Sequence, residues 1–240
     1  MAAMLIAVVL IGFIPDSLQK IAEVGAGERP AFPIQMHLHA VLMGSWLLLL
    51  FTQTILMATG KRGLHMQLGL LGMVLAPMLV VAGVLLVPAN FASRIDFAQG
   101  AAPEVSAQLP GFLNFMTNIA LLQLRAGFCF LVLVILGLHA RKHDPSLHKR
   151  LMILATIVPM PAALDRMQFL PHSLPNSPLT VDLWPLFLIA PMFVWDLYRQ
   201  RRIHRAYWYW LGVIAPTGIL LNVMWNSEWW HRVAPPILYG

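Results

Sequence analysis

Six apolar runs, broken by short polar segments, organise the chain: 34–59, 64–88, 111–140, 146–170, 179–197 and 206–226. A helix that crosses a bilayer needs about 20 mostly apolar residues, with a range of about 17–25. A seventh run, 1–14, falls short of that length. It has neither the basic start nor the small-x-small ending of a secretory signal. It is expected to be a short or partly embedded first helix. The pattern therefore predicts an all-α fold: an integral membrane bundle of about seven transmembrane helices, as one domain over 1–240.

The polar breaks carry an orientation. Lys61, Arg62, Arg141, Lys142, Lys149, Arg150, Arg199, Arg201, Arg202 and Arg205 fall on one side. The other side holds Lys20, Arg29, Arg94 and Arg232 among Asp16, Glu23, Glu28, Asp96, Glu104, Asp182 and Glu228. Lysine and arginine concentrate on the cytoplasmic side of membrane proteins. The expected placement is a bacterial inner membrane, with the N-terminus in the cytoplasm and the C-terminus in the periplasm. The basic connections are short, which makes the runs they join antiparallel neighbours.

Two of those neighbours begin alike. Leu64-His65-Met66-Gln67-Leu68 and Leu147-His148-Lys149-Arg150-Leu151 each follow a short basic connection. Pro77 and Pro159 come at similar distances beyond the two histidines. The echo is consistent with two copies of one helical hairpin around an axis along the membrane normal, or with chance among leucine-rich segments. A duplicated hairpin places a four-helix core over 34–172, with 1–14, 179–197 and 206–226 peripheral.

Composition agrees with this picture. Of 240 residues, 59% are hydrophobic and 11% charged, against about 45–50% and about 25% in soluble domains. The formal net charge of +6 is too scattered among apolar runs for nucleic-acid binding. The single cysteine, Cys129, excludes an intrachain disulfide, a cysteine zinc site and a thiolate iron–sulfur cluster.

Polar residues inside the runs carry the candidate chemistry. Asn114, Asn118, Arg125, Cys129 and His139 lie within a limited arc of one helix. A charge as deep as Arg125 needs a partner, and Asp165 in the next run is the expected one. The Arg125–Asp165 pair reads either as a buried lock on helix register or, with Arg166 in surplus, as a seat for an anion such as a haem propionate. His39, Trp46 and Gln53 recur every seven residues on one face. Asp165, Gln53 and Asn118 are the buried polar residues expected to join helices.

Histidines cluster at the ends of the runs. His37, His39 and His172 fall on the outer side; His65, His139, His143 and His148 fall on the inner side, with His204 more remote. Imidazole is the commonest side-chain metal ligand and a usual axial ligand of haem. In one reading, b-type haem is clasped between helices, by His39 with His172 and by His65 with His139 or His148. Arg125 and Arg166 would then neutralise propionates. In another, His139 and His143 form an H-x-x-x-H box with His148, as in membrane di-iron oxidases and hydroxylases. Set against both, interfacial histidines simply tolerate water and lipid, the preferred reading for His143, His204 and His231.

His37-Leu38-His39, then Trp46 and Gln53, His65-x-x-Leu68-Gly69 and His148-Lys149-Arg150-Leu151-Met152 resemble an uncharacterised family of multi-pass bacterial inner-membrane proteins, over about residues 12–166. More distantly, the chain resembles cytochrome b-type and cytochrome oxidase assembly membrane proteins with paired helix-end histidines. That likeness implies haem. The expected function is a haem-binding membrane redox protein, exchanging electrons with a quinone or a partner complex. The ligands expected are His39, His65 and His148, then His139 and His172. The alternatives are a non-catalytic accessory subunit of a larger membrane complex and a non-haem iron oxidase or hydroxylase.

Overall fold

A computed structural model describes residues 1–100 and 103–239. All regular structure among them is helical: α1 Ala2–Gly25, α2 Ile34–Ala58, α3 Arg62–Gln99, α4 Pro103–Ala140, α5 Pro145–Ile157, α6 Pro161–Leu164, α7 Leu179–Gln200, α8 Arg205–Met224 and α9 Glu228–Tyr239. Among the described residues, six segments are long and apolar enough to cross a membrane. A seventh is formed only if α8 and α9, bent by 100° from each other, count as one.

The first helix is longer than its apolar run. It continues through Pro15 to Gly25 instead of stopping near residue 14. Likewise α3 and α4 outrun their apolar cores, passing through Pro88 and Pro110. The fifth run, expected as one rod over 146–170, is broken. α5 ends at Ile157, one short turn of α6 follows, and non-helical turns lead to α7.

Local chemistry sets the best-defined start. Asp144 caps α5 by accepting from the Leu147 N–H at 3.0 Å, and Pro145 occupies the first helical position. Proline suits that position because its missing N–H would have no helical partner.

α2 packs on α3, α3 on α4 and α4 on α5, with α8 and α9 against α4 and α1 against α6. The segment Pro145–Leu164 is the central one. Some 67% of its apolar window is buried, against 33% or less in the other five. Leu151, Leu154, Ala155, Thr156 and Ile157 are wholly enclosed. The core is not confined to α2–α5: Leu5 of α1, Ile189 and Met192 of α7, and Tyr207 and Trp210 of α8 belong to the same cluster. Outward faces are apolar, as along α3 at Leu70, Leu71, Val74, Met78, Val81 and Leu85.

Candidate functional site

The seven-residue stripe of α2 lies against a glycine-bearing face of α3. The His39 ring packs over Gly83, where an added Cβ would meet its Cε1 at 3.6 Å. Trp46 lies near Gly72, and a Cβ added at Gly69 would meet the Gln53 amide nitrogen at 3.4 Å. Small residues let helices approach closely enough for such side chains to fit between them. Trp46 reaches further. Its indole N–H donates to Thr156 Oγ1 of α5 at 3.0 Å, and its ring meets Phe130 edge-on at 5.0 Å between centroids.

At the basic end of the bundle, Gln53 Nε2 donates to the His65 backbone carbonyl at 3.1 Å. His65 opens α3 and His148 opens α5, and their rings meet at 6.5 Å between centroids with planes 80° apart. Thus the two echoing Leu-His segments converge. His148 Nδ1 lies 2.8 Å from the Gly137 carbonyl of α4. A carbonyl only accepts, so Nδ1 carries the proton and Nε2 keeps a free lone pair. His65 Nδ1 and Gln53 Oε1 are buried there without hydrogen-bond partners. Of the two inner partners expected for His65, His148 makes the contact; His139 is exposed in the last turn of α4.

The outer histidines His39 and His172 have different neighbours. His39 lies on Gly83, its Nδ1 buried and unpartnered. His172 Nε2 meets the Met167 carbonyl at 3.1 Å, and its Nδ1 lies 3.7 Å from Asp165 Oδ1.

Arg125 does not pair with Asp165. Its Nη2 contacts Asp182 Oδ1 of α7 at 2.5 Å and the Ile214 carbonyl at 3.2 Å, and its Nε donates to Thr217 at 3.3 Å. The break after α5 removes the helical register on which the Asp165 expectation rested. Arg166 turns instead to α1, meeting Asp16 at 3.1 Å and lying 4.4 Å from the Phe13 ring centre. Both arginines expected to serve propionates are engaged by carboxylates. Asn118 is buried as expected and ties α4 to the α8–α9 corner: its Nδ2 donates to Asn226 at 2.6 Å, and His231 Nε2 lies 3.0 Å from its Oδ1.

One buried cluster escaped the sequence reading. Arg150 grips Asp196 through Nε (2.6 Å to Oδ2) and Nη2, and Tyr207 donates to Oδ2 at 2.7 Å. Ser146 Oγ and Gln200 complete the shell. Arg150 is 7% exposed and Asp196 2%. The signal available was Asp196 itself, a lone acid near a strongly basic helix end. Below this node, Arg205 meets Asp144, and the backbone N–H of Leu147 with that arginine holds the Asp144 carboxyl below its ordinary value. His204 caps α8 by accepting from Ala206 N–H at 3.1 Å, and burial pushes its imidazole below the ordinary 6.5.

No protein family, curated protein or solved structure matches the chain. Among the described residues no three His, Cys, Asp or Glu side chains gather where they could hold a metal ion. The chemistry on offer is a pair of imidazoles from two helices.

Proposed function

We propose that the chain is an integral membrane redox protein that holds one b-type haem between His65 and His148 at its basic, cytoplasmic end. The observation that carries the reading is the contact of His148 Nδ1 with the Gly137 carbonyl. A metal-binding histidine characteristically donates its other ring N–H to a carbonyl or carboxylate, which fixes the ring and raises its basicity. The Gly137 carbonyl, 2.8 Å away, plays that part.

The residues fit the group. His65 and His148 would each offer one ring nitrogen to a shared iron. The separation of their ring centres is 6.5 Å. Haem bound there would supply one-electron chemistry, exchanging with a membrane quinone or a partner complex. The protein's own contribution is to hold two imidazoles from separate helices, with Gln53 anchored on the His65 backbone. With Arg125 on Asp182 and Arg166 on Asp16, propionate neutralisation falls to lysine and arginine at the basic end, of which Lys61, Arg62 and Arg141 flank the pair in sequence.

An oxidised-minus-reduced absorption spectrum of detergent-purified protein tests the reading. A sharp b-type band that disappears in His148→Ala supports it. A protein purified with a haem supply yet colourless, or a band untouched by His148→Ala, removes it.

A further inference from the structure

We propose that a second site, formed by α4, α7 and α8 around Arg125, Asp182 and Trp210, takes a neutral hydrogen-bond acceptor: the carbonyl oxygen of a lipid-soluble molecule. A small cavity of about 30 Å³ lies there, lined by Leu122, Pro185 and Ile214 as well as these three polar residues. That is room for about two waters, or for one carbonyl group and its first substituent atoms. Asp182 keeps 24% of its side-chain surface exposed, so the cavity is reachable from outside the bundle.

The charges and hydrogen bonds define what fits. Arg125 and Asp182 cancel, leaving no net charge to hold an ion. Arg125 uses Nε and Nη2 on Thr217, Asp182 and Ile214, and Nη1 has no partner among the described residues. Trp210 is 6% exposed, and its indole N–H is buried with no acceptor. An indole nitrogen and a guanidinium can only donate. Asp182 Oδ1 receives Arg125 and Oδ2 receives Asn222 at 3.5 Å. Two residues lining the cavity therefore each have a donor without an acceptor, beside apolar walls. A carbonyl oxygen has two lone pairs and asks for no acceptor in return. Gly218 makes room for the ion pair itself: an added Cβ would sit 3.1 Å from Arg125 Nη2 and 3.3 Å from Asp182 Oδ2. The site is separate from the His65–His148 pair, so it stands or falls independently of haem.

Two sources supply such a carbonyl: the ester of a membrane lipid, or a free lipophile such as a quinone. The Trp210 indole N–H resonance distinguishes them in nanodiscs, assigned by its loss in Trp210→Phe. Three samples are compared: ether-linked lipid, which has no carbonyl; ester-linked lipid; and ether-linked lipid with a short-chain benzoquinone. A downfield shift in ester-linked lipid identifies the lipid. A shift on adding the benzoquinone identifies a free lipophile, and its affinity, read from the benzoquinone's own resonances, then falls about tenfold in Trp210→Phe, which keeps an aromatic ring and loses the donor. An indole resonance at one position in all three samples overturns the proposal and leaves the cavity to water.

Discussion

Arg150 closes on Asp196 through two parallel contacts, with Nε 2.6 Å from Oδ2, and so binds the central helix α5 to α7. Tyr207 of α8 adds a third helix by donating to the same carboxylate. Breaking a buried pair by removing one partner leaves an uncompensated charge and costs about 3–5 kcal/mol. Asp196→Ala is expected to destabilise by that order. The double change Arg150→Met with Asp196→Leu is expected to cost markedly less, because neither charge is left alone. Unfolding in denaturing detergent, followed by circular dichroism, checks the difference between single and double variants.

Trp46 and Thr156 join α2 to α5 by a single side-chain hydrogen bond. Trp46→Phe keeps most of the ring packing on Phe130 and loses the donor. Couplings of this kind between membrane helices average about 0.6 kcal/mol and reach about 1.7. A double-mutant cycle of Trp46→Phe with Thr156→Val should return a coupling in that range. Additive effects would remove the bond from the account.

Gly12 marks the seam between α1 and α6. An added Cβ would fall 2.8 Å from the Ala163 carbonyl carbon and closer still to its oxygen. Backbone cannot yield as a side-chain tip does, so Gly12→Ala should push α1 away. Overpacking of this kind costs about 1–3 kcal/mol. Protease cleavage in the α1–α2 connection, faster in the variant than in the parent, reports the displacement.

The caps at the basic end titrate in the same direction but in separate pH windows. Burial holds the His204 imidazole below 6.5, so the unfolded chain takes up its proton first as pH falls. Stability is therefore full above about 6.5 and is lost as pH falls below it, towards the folded value. His204→Asn replaces the capping ring nitrogen with a side-chain oxygen that does not titrate, and should flatten that part of the profile. Asp144 is depressed by the Leu147 N–H and then by Arg205. Its contribution is present above the ordinary carboxylate value and is lost only as pH falls through its lower folded one. Melting temperature against pH, for the parent and His204→Asn, separates the two windows.

Much of the bundle was legible because lipid-facing helices need long apolar runs: 34–59, 64–88, 111–140, 146–170 and 179–197 each overlap one of the six segments long and apolar enough to cross a membrane, whereas 206–226 reaches that standard only together with α9. Their ends were less legible. Pro88 and Pro110 look like stops, yet a helix packed against neighbours has its freed carbonyls satisfied and continues. The stripe of His39, Trp46 and Gln53 was readable because seven residues make nearly two turns, and it lies on α3 at Gly83, Gly72 and Gly69. Depth was the failure at Arg125. Counting turns to Asp165 treats 146–170 as one rod, and the chain breaks at Ile157. Asp182, the real partner, comes from a helix whose packing no pattern announces. Asp196 was hidden by its neighbours, since a single acid among arginines resembles a topological signal more than a buried anchor.

The pairing of His65 with His148 is the central claim, and the spin state of bound haem tests it most directly. Electron paramagnetic resonance of the oxidised protein should show a low-spin signal from two imidazole ligands. His65→Ala and His148→Ala should each convert it to high spin or lose the haem, and added imidazole should restore low spin where haem is retained. A low-spin signal unchanged in both variants, or no haem signal in the haem-supplied parent protein, would contradict the account.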